Sequence, residues 1–135
     1  MSAPTVASEM LKPFDELEVG DEFVSGARTV TETDVMRFAA LTGDRGPARG
    51  AHGMLLVSYS IGLVPNDRVV ALRRLREVAF ERPVNPGDTI RVVGRIVELG
   101  AMSPEVGMVT GRWRIVNQDA ETVADLEIDA LWSNA

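Results

Sequence analysis

The chain contains no cysteine, and a single histidine, His52, serves all 135 residues. The first absence excludes disulfides, thiolate metal sites and a cysteine nucleophile. Together the two leave too few nitrogen and sulfur ligands for an ordinary catalytic zinc site. There is no basic excess either: 14 Lys and Arg stand against 20 Asp and Glu, a net charge of −6. Nucleic-acid binders draw affinity from phosphate neutralisation by Lys and Arg, so a non-specific polyanion binder is not expected. The densest basic run, RRLR at 73–76, is followed directly by Glu77 and reads as a solvated strand face, with a local phosphate socket as the alternative. No apolar stretch approaches the roughly 18 residues of a membrane span. The N-terminal MSAPTVASEMLKPF lacks the basic and apolar regions of a secretory signal. A cytoplasmic protein that does not bind membrane is expected. Phosphate-cradling glycine loops and nucleophile elbows are also missing, and no cofactor is implied.

What the chain does contain is a globular balance. Hydrophobic residues make up 45% and charged residues 25% of a length that suits one domain with a sizeable core. Residues 1–12 are small and polar and read as a flexible N-terminal arm, leaving 13–135 as a single domain. In FDELEVGDEF (14–23), Gly20-Asp21 provides a turn, and Phe23 begins an extended run to about Val30. TETDVMRFAALTG (31–43) reads as a helix. Thr31 is its N-cap, Glu32 and Asp34 suit the positive end of its dipole, and Gly43 ends it. Val35, Phe38, Ala39 and Thr42 share one face.

GMLLVSYSIGL (53–63) is apolar nearly all round, which predicts a buried helix. Everything after Pro65-Asn66-Asp67 reads as strand: 69–84, 89–99, 105–116 and 121–132, with turns between. An antiparallel sheet of about five strands has to cover one face, and one apolar helix is available to do so. The expected fold is therefore α+β, a sheet wrapped round one buried central helix. Its long edge strands would be protected by pairing in a homodimer.

The residues able to carry chemistry gather in and after LTGDRGPARGAHGM (41–54). Asp44 is the first residue beyond the first helix, a position from which a side chain can be aimed. Its plain alternative is a loop aspartate satisfying nearby N–H groups. His52 either folds back onto Asp44 as an acid–base pair or serves structurally at the start of the second helix. Arg49 can clamp a carboxylate or phosphate, or be a solvated loop arginine, but cannot act as a base. Gly53 needs no side chain to donate its N–H at a helix start; its alternative is close packing against the sheet. Met54, Ser58 and Tyr59 are candidates to line a pocket, although buried polar groups with local partners are commoner. Trp113 and Trp132 read as core or dimer contacts.

FDELEVGDEF, TVTETDVMRFAALTGD, AHGMLLVSYSIGL and VAFERPVNPGDTIRVVGRIVEL, in this order, resemble successive blocks of the MaoC-like hotdog proteins. That group includes (R)-specific enoyl-CoA hydratases and acyl dehydratases, and the resemblance spans roughly residues 12–132. It implies a hotdog fold and reversible addition of water across the double bond of a trans-2-enoyl thioester of coenzyme A or a carrier protein. Such chemistry needs a base positioned at the α-carbon and hydrogen-bond donors for the enolate. In the family an Asp after the first helix opens a motif that a His five positions later completes. A backbone N–H at the start of the central helix polarises the thioester carbonyl.

Matched residue by residue, Asp44 stands for the motif aspartate and Pro47 for its proline. Gly46 replaces the usual asparagine, Arg49 replaces the histidine, and His52-Gly53-Met54 matches the block that opens the central helix. The connecting stretch is shorter than the family's. The resemblance thus implies Asp44 as base, the Gly53 N–H as oxyanion donor and His52 as candidate partner. The departure at Arg49 keeps two other readings open. One is another reaction on the same scaffold: thioester hydrolysis, cyclisation or isomerisation. The other is a catalytically degenerate subunit that binds a small apolar or acyl ligand, or joins a catalytic chain in a heterodimer.

Overall fold

The structure, a computed structural model, describes residues 5–6, 10–46 and 50–135. Three short strands open the chain: β1 (Thr5–Val6), β2 (Glu22–Val24) and β3 (Arg28–Thr29). Two helices follow, α1 (Glu32–Thr42) and α2 (Gly53–Leu63), and then four long strands: β4 (Val69–Phe80), β5 (Thr89–Ala101), β6 (Val106–Val116) and β7 (Thr122–Ser133). The strands form one sheet in the order β1-β2-β5-β6-β7-β4, with β3 also paired to β5. All pairings are antiparallel except β1 with β2.

The extended run expected from Phe23 to about Val30 is present but bent. Ser25 lies between β2 and β3 and keeps both on β5: its N–H donates to Val92 O and its hydroxyl accepts from Val92 N, each at 2.8 Å. With β2 and β3 taken as one bent strand, the sheet has the about five strands expected, and β1 is an addition. Part of the arm expected over residues 1–12 is likewise built into the fold. Thr5–Val6 pair with Phe23–Val24, Met10 is buried, and Lys12 O accepts from Trp132 Nε1 at 2.8 Å. The apolar Met10 and the indole N–H, which needs a partner once buried, tie that end down.

Helix α1 starts and stops as its sequence predicts. Asp34 N–H donates to Thr31 Oγ1 at 3.0 Å and Thr31 N–H to the Asp34 carboxylate at 3.2 Å, a reciprocal capping box. Gly43 takes the left-handed conformation, φ +79°, that ends the helix.

Helix α2 lies across the sheet and buries Leu55, Leu56, Val57 and Ser60. They meet the inward residues of the strands, among them the fully enclosed Phe23, Ile90, Ile96, Ile115 and Leu126. Each such side chain contributes about 1.5–3 kcal/mol relative to exposure. Trp113 belongs to this core, edge-on to Phe23 with ring centroids 6.0 Å apart. The two rings close over Gly94, where a Cβ would stand 2.5 Å from Phe23 and 2.8 Å from Trp113. The expectation that α2 is buried on every side is corrected. Met54, Ser58 and Gly62 are exposed, because a single sheet can cover only one face of a helix.

One edge of the sheet is β4, with no neighbour beyond it among the described residues. It exposes Val70, Leu72, Leu75 and Phe80, and irregularities interrupt its register with β7, including Glu77 at φ +50°.

Candidate active site

The approach to α2 is held by the segment that follows β4. Pro83 has no N–H to add to a ladder, and the strand read from sequence over 69–84 stops at Phe80. Residues 81–84 then run beside the start of α2. Ala51 N–H donates to Val84 O at 2.7 Å. Gly50, at φ +102°, passes so close that a Cβ would lie 2.8 Å from the same oxygen. Only glycine combines that conformation with that approach.

His52 is the N-cap of α2. Its Nδ1 accepts from Met54 N–H at 3.1 Å, and its carbonyl accepts from Leu55 and Leu56 N–H at 3.0 and 3.3 Å. The bond to Nδ1 uses the lone pair of that nitrogen. The ring is tilted against Phe38 of α1, centroids 5.4 Å apart, so it also joins the two helices.

These bonds consume the first N–H groups of α2 except one. The Gly53 N–H has no acceptor among the described residues. It opens onto a groove of about 360 Å³ bounded by Ala51 to Met54, Leu56 and the segment Phe80–Val84. The groove offers a backbone donor at the positive end of a helix dipole, between the apolar Met54, Leu56, Phe80 and Val84 and the polar His52, Glu81 and Arg82. That arrangement suits a polarised carbonyl oxygen, with Met54, Leu56 and Phe80 able to meet an apolar group attached to it.

Not every residue picked out from sequence reaches this place. Gly53, His52 and Met54 line the groove. Asp44 lies on the segment joining α1 to α2, where its Oδ1 accepts from Gly46 N–H at 3.1 Å. The Nδ1 of His52 is turned to Met54 and not to Asp44. Arg49 and Pro47 fall outside the described residues.

Tyr59 faces a different cluster. The Arg28 guanidinium lies 4.8 Å above its ring and pairs with Asp34 at 3.2 Å. The Tyr59 hydroxyl is buried and makes no hydrogen bond of normal geometry. Burial, and after it the Asp34 carboxylate nearby, push the phenol up to about 12. The Tyr59 hydroxyl, with the Thr31 and Arg28 donors, outweighs desolvation and holds the Asp34 carboxyl down at about 2. Tyr59 is therefore a link between β3, α1 and α2, not a groove residue.

Sequence reading missed Phe80. It belongs to a block quoted for its resemblance, but as the last residue of a long strand it carried no sign of contact with α2. A Cβ placed on Gly53 would stand 2.7 Å from the Phe80 ring. The signal was the conjunction of a helix-opening glycine with an aromatic residue left at a strand end.

Among the described residues no group of His, Asp and Glu gathers to hold a metal ion, and no helix is long and apolar enough to cross a membrane.

No protein-family model matches the sequence. Over 98 residues, 60% of the chain, it is 35% identical to protein MaoC of Klebsiella aerogenes, of whose length it spans 29%. The structure superimposes on a monoamine oxidase regulatory protein of Archaeoglobus fulgidus with TM-score 0.80 and 30% identity, covering 91% of this chain and 95% of that one. It superimposes on the R-hydratase PhaJ1 of Pseudomonas aeruginosa with TM-score 0.69 and 28% identity, covering 91% and 86%. Similarity to nearly the whole of the Archaeoglobus protein, together with the MaoC match, decides the matter: the chain belongs to the MaoC-like hotdog dehydratase family.

Proposed function

We propose that the protein adds water to, or removes it from, a trans-2-enoyl thioester. The observation that carries this reading is the Gly53 N–H at the head of α2, without an acceptor among the described residues, on a residue that lines a groove of mixed apolar and polar walls. The likeness to the hydratase PhaJ1 supports it. In hydration the Gly53 N–H receives the thioester oxygen as it becomes an enolate. Water attacks the β-carbon and gives one proton to a general base, and that proton is returned to the α-carbon as the enolate collapses. The family resemblance assigns the base to Asp44, which stands on the segment leading into α2 and does not itself line the groove. Every atom of water ends in the 3-hydroxyacyl product. Dehydration is the same path reversed.

The test is hydration of crotonyl-CoA, followed by loss of the conjugated thioester absorbance. Turnover that falls by two orders of magnitude or more in Asp44→Asn supports the reading, since one general acid–base group contributes typically 10²–10⁴-fold. No turnover by the wild-type protein sinks it.

A second reading is favoured by the engagement of His52 as a helix cap. With its Nδ1 committed to Met54, the protein would bind an acyl ligand without transforming it, or complete a catalytic chain as its partner. Binding of butyryl-CoA without hydration of crotonyl-CoA would select that reading.

The hydratase reading includes a homodimer formed by pairing β4 with its copy across a two-fold axis; in the partner-subunit reading the same edge would pair with the catalytic chain. The unpartnered edge with Val70, Leu72 and Leu75 exposed supports this. Sedimentation at twice the 14.6 kDa chain mass, lost in Leu72→Glu, is the expected outcome.

A further inference from the structure

The ring of Phe80 is half exposed, 51%, although it packs against the helix that opens the groove. An aromatic side chain at the end of an edge strand would ordinarily turn its whole area to solvent or into the core. Here one side of the ring rests on the Cα of Gly53, close enough that a Cβ on that residue would come within 2.7 Å of Cε1 and Cζ. The other side forms a wall of the groove. The absent side chain at Gly53 therefore does two things at once. It leaves the N–H unshielded, and it lets an aromatic ring stand beside that N–H.

From this geometry we infer that Phe80 is a specificity-determining wall, which admits unbranched acyl thioesters and excludes those substituted at the α-carbon. The inference rests on the enoyl-thioester reading of the groove. A carbonyl oxygen held at hydrogen-bond distance from Gly53 N, about 2.9 Å, brings its α-carbon beside the same residue. That carbon then lies next to the ring already in contact with Gly53. An unbranched, planar enoyl group presents only its face or edge to the ring and fits as two flat surfaces do. An α-methyl group must project into space the ring occupies, or push the ring away from Gly53. Glu81, Arg82 and Pro83 continue the same wall beyond Phe80. Their backbone is fixed through Val123 O, which accepts from the Glu81 and Arg82 N–H groups. These two bonds resist a backbone shift just beyond Phe80, so rotation of the ring is the easiest way for the wall to give. One methyl group refused by an apolar wall alters relative rates or affinities by about 10–200-fold.

The experiment compares wild type, Phe80→Ala, Phe80→Leu and the pair Gly53→Ala and Gly53→Ala/Phe80→Ala. Binding of butyryl-CoA and 2-methylbutyryl-CoA is measured by calorimetry, and hydration of crotonyl-CoA and 2-methylcrotonyl-CoA by absorbance. Wild type is expected to favour the unbranched member of each pair by about tenfold or more. Phe80→Ala should bring that ratio towards one, with Phe80→Leu between. Gly53→Ala should weaken binding of both ligands by forcing the ring into the groove, and the added Phe80→Ala should restore it. An unchanged branched-to-unbranched ratio in Phe80→Ala, in a protein that hydrates crotonyl-CoA, overturns the wall and leaves the hydratase reading standing. Selective binding that Phe80 controls, without hydration, supports the wall and removes the hydratase reading. If wild type binds neither thioester, both fall.

Discussion

His52 Nδ1 and the backbone nitrogen of Met54 are 3.1 Å apart, donor to acceptor, and this bond assigns the protein's only histidine to the first turn of α2. A side chain that fills the cap can be replaced by another that does the same. His52→Ala is expected to lower stability by about 1 kcal/mol, the usual cost of losing an N-cap acceptor. His52→Asn or His52→Ser should recover most of it. Urea unfolding of the three variants reads this directly. Crotonyl-CoA hydration by His52→Asn then separates placement from chemistry: near-wild-type turnover makes the residue a cap, and loss beyond a hundredfold gives it a part in proton transfer.

Gly50 and Val84 form the other fixed point of the site. At φ +102° and with a Cβ only 2.8 Å from a carbonyl oxygen, Gly50→Ala brings both backbone strain and a collision. The expected destabilisation is about 1–3 kcal/mol. Because Ala51 N–H also bonds that carbonyl, relief by moving the loop would shift the start of α2. Gly50→Ala should therefore raise the KM for crotonyl-CoA in the fraction that remains folded. Thermal unfolding with steady-state kinetics on the same sample checks both effects.

The sequence was most legible where local chemistry decides structure. Thr31, Asp34 and Gly43 mark α1 because a hydroxyl cap, its reciprocal carboxylate and a left-handed terminator act within a few residues. The long strands and α2 followed from runs of apolar residues with turn residues between them. Less legible was anything fixed by contacts distant in sequence. Ser25 bends the first strand by bonding Val92, Pro83 ends β4 beside α2, and Tyr59 faces Arg28 and Asp34. In the site, Gly53 and His52 could be placed at a helix start from their neighbours alone. Which partner His52 takes depends on how an eight-residue step from Asp44 folds, and no periodicity encodes that.

Asp34 gives α1 an acid limit. Its carboxyl is held at about 2 against an ordinary 3.8, first by the Tyr59 hydroxyl and then by the Thr31 and Arg28 donors. A carboxylate with a folded pKa below its unfolded one stabilises only while ionised. The contribution is whole above about pH 4 and is lost as pH falls through the folded value. Asp34→Asn should flatten that part of the stability profile between pH 4 and 2 and lower stability at neutral pH. Urea midpoints at pH 7, 4 and 2.5 for both proteins test it. Parallel profiles would mean that the carboxylate contributes nothing to folding.

The outer face of the sheet carries its own constraint, in Asp129. Burial would raise this carboxyl, but Arg76 and Thr110 outweigh it and hold it below the ordinary range. Thr110 Oγ1 donates at 2.8 Å and the Arg76 fork takes both carboxylate oxygens, Nη2 to Oδ1 at 2.9 Å, while also reaching Glu127 at 2.8 Å. The Asp129 side chain is 11% exposed and that of Arg76 31%, so solvent screens the arginine more than its partner. Removing Arg76 leaves a charge in a place that water reaches poorly, whereas removing both charges leaves none. Arg76→Ala should therefore destabilise the fold, the more so at neutral pH, where Asp129 is ionised. Arg76→Leu combined with Asp129→Leu should cost less than the two single changes added together. Thr110→Val, which keeps shape but loses one donor, should cost about 1 kcal/mol. The coupling is read from a double-mutant cycle in urea. Strict additivity would show that the bonds are present but that water satisfies each group equally well when its partner is gone.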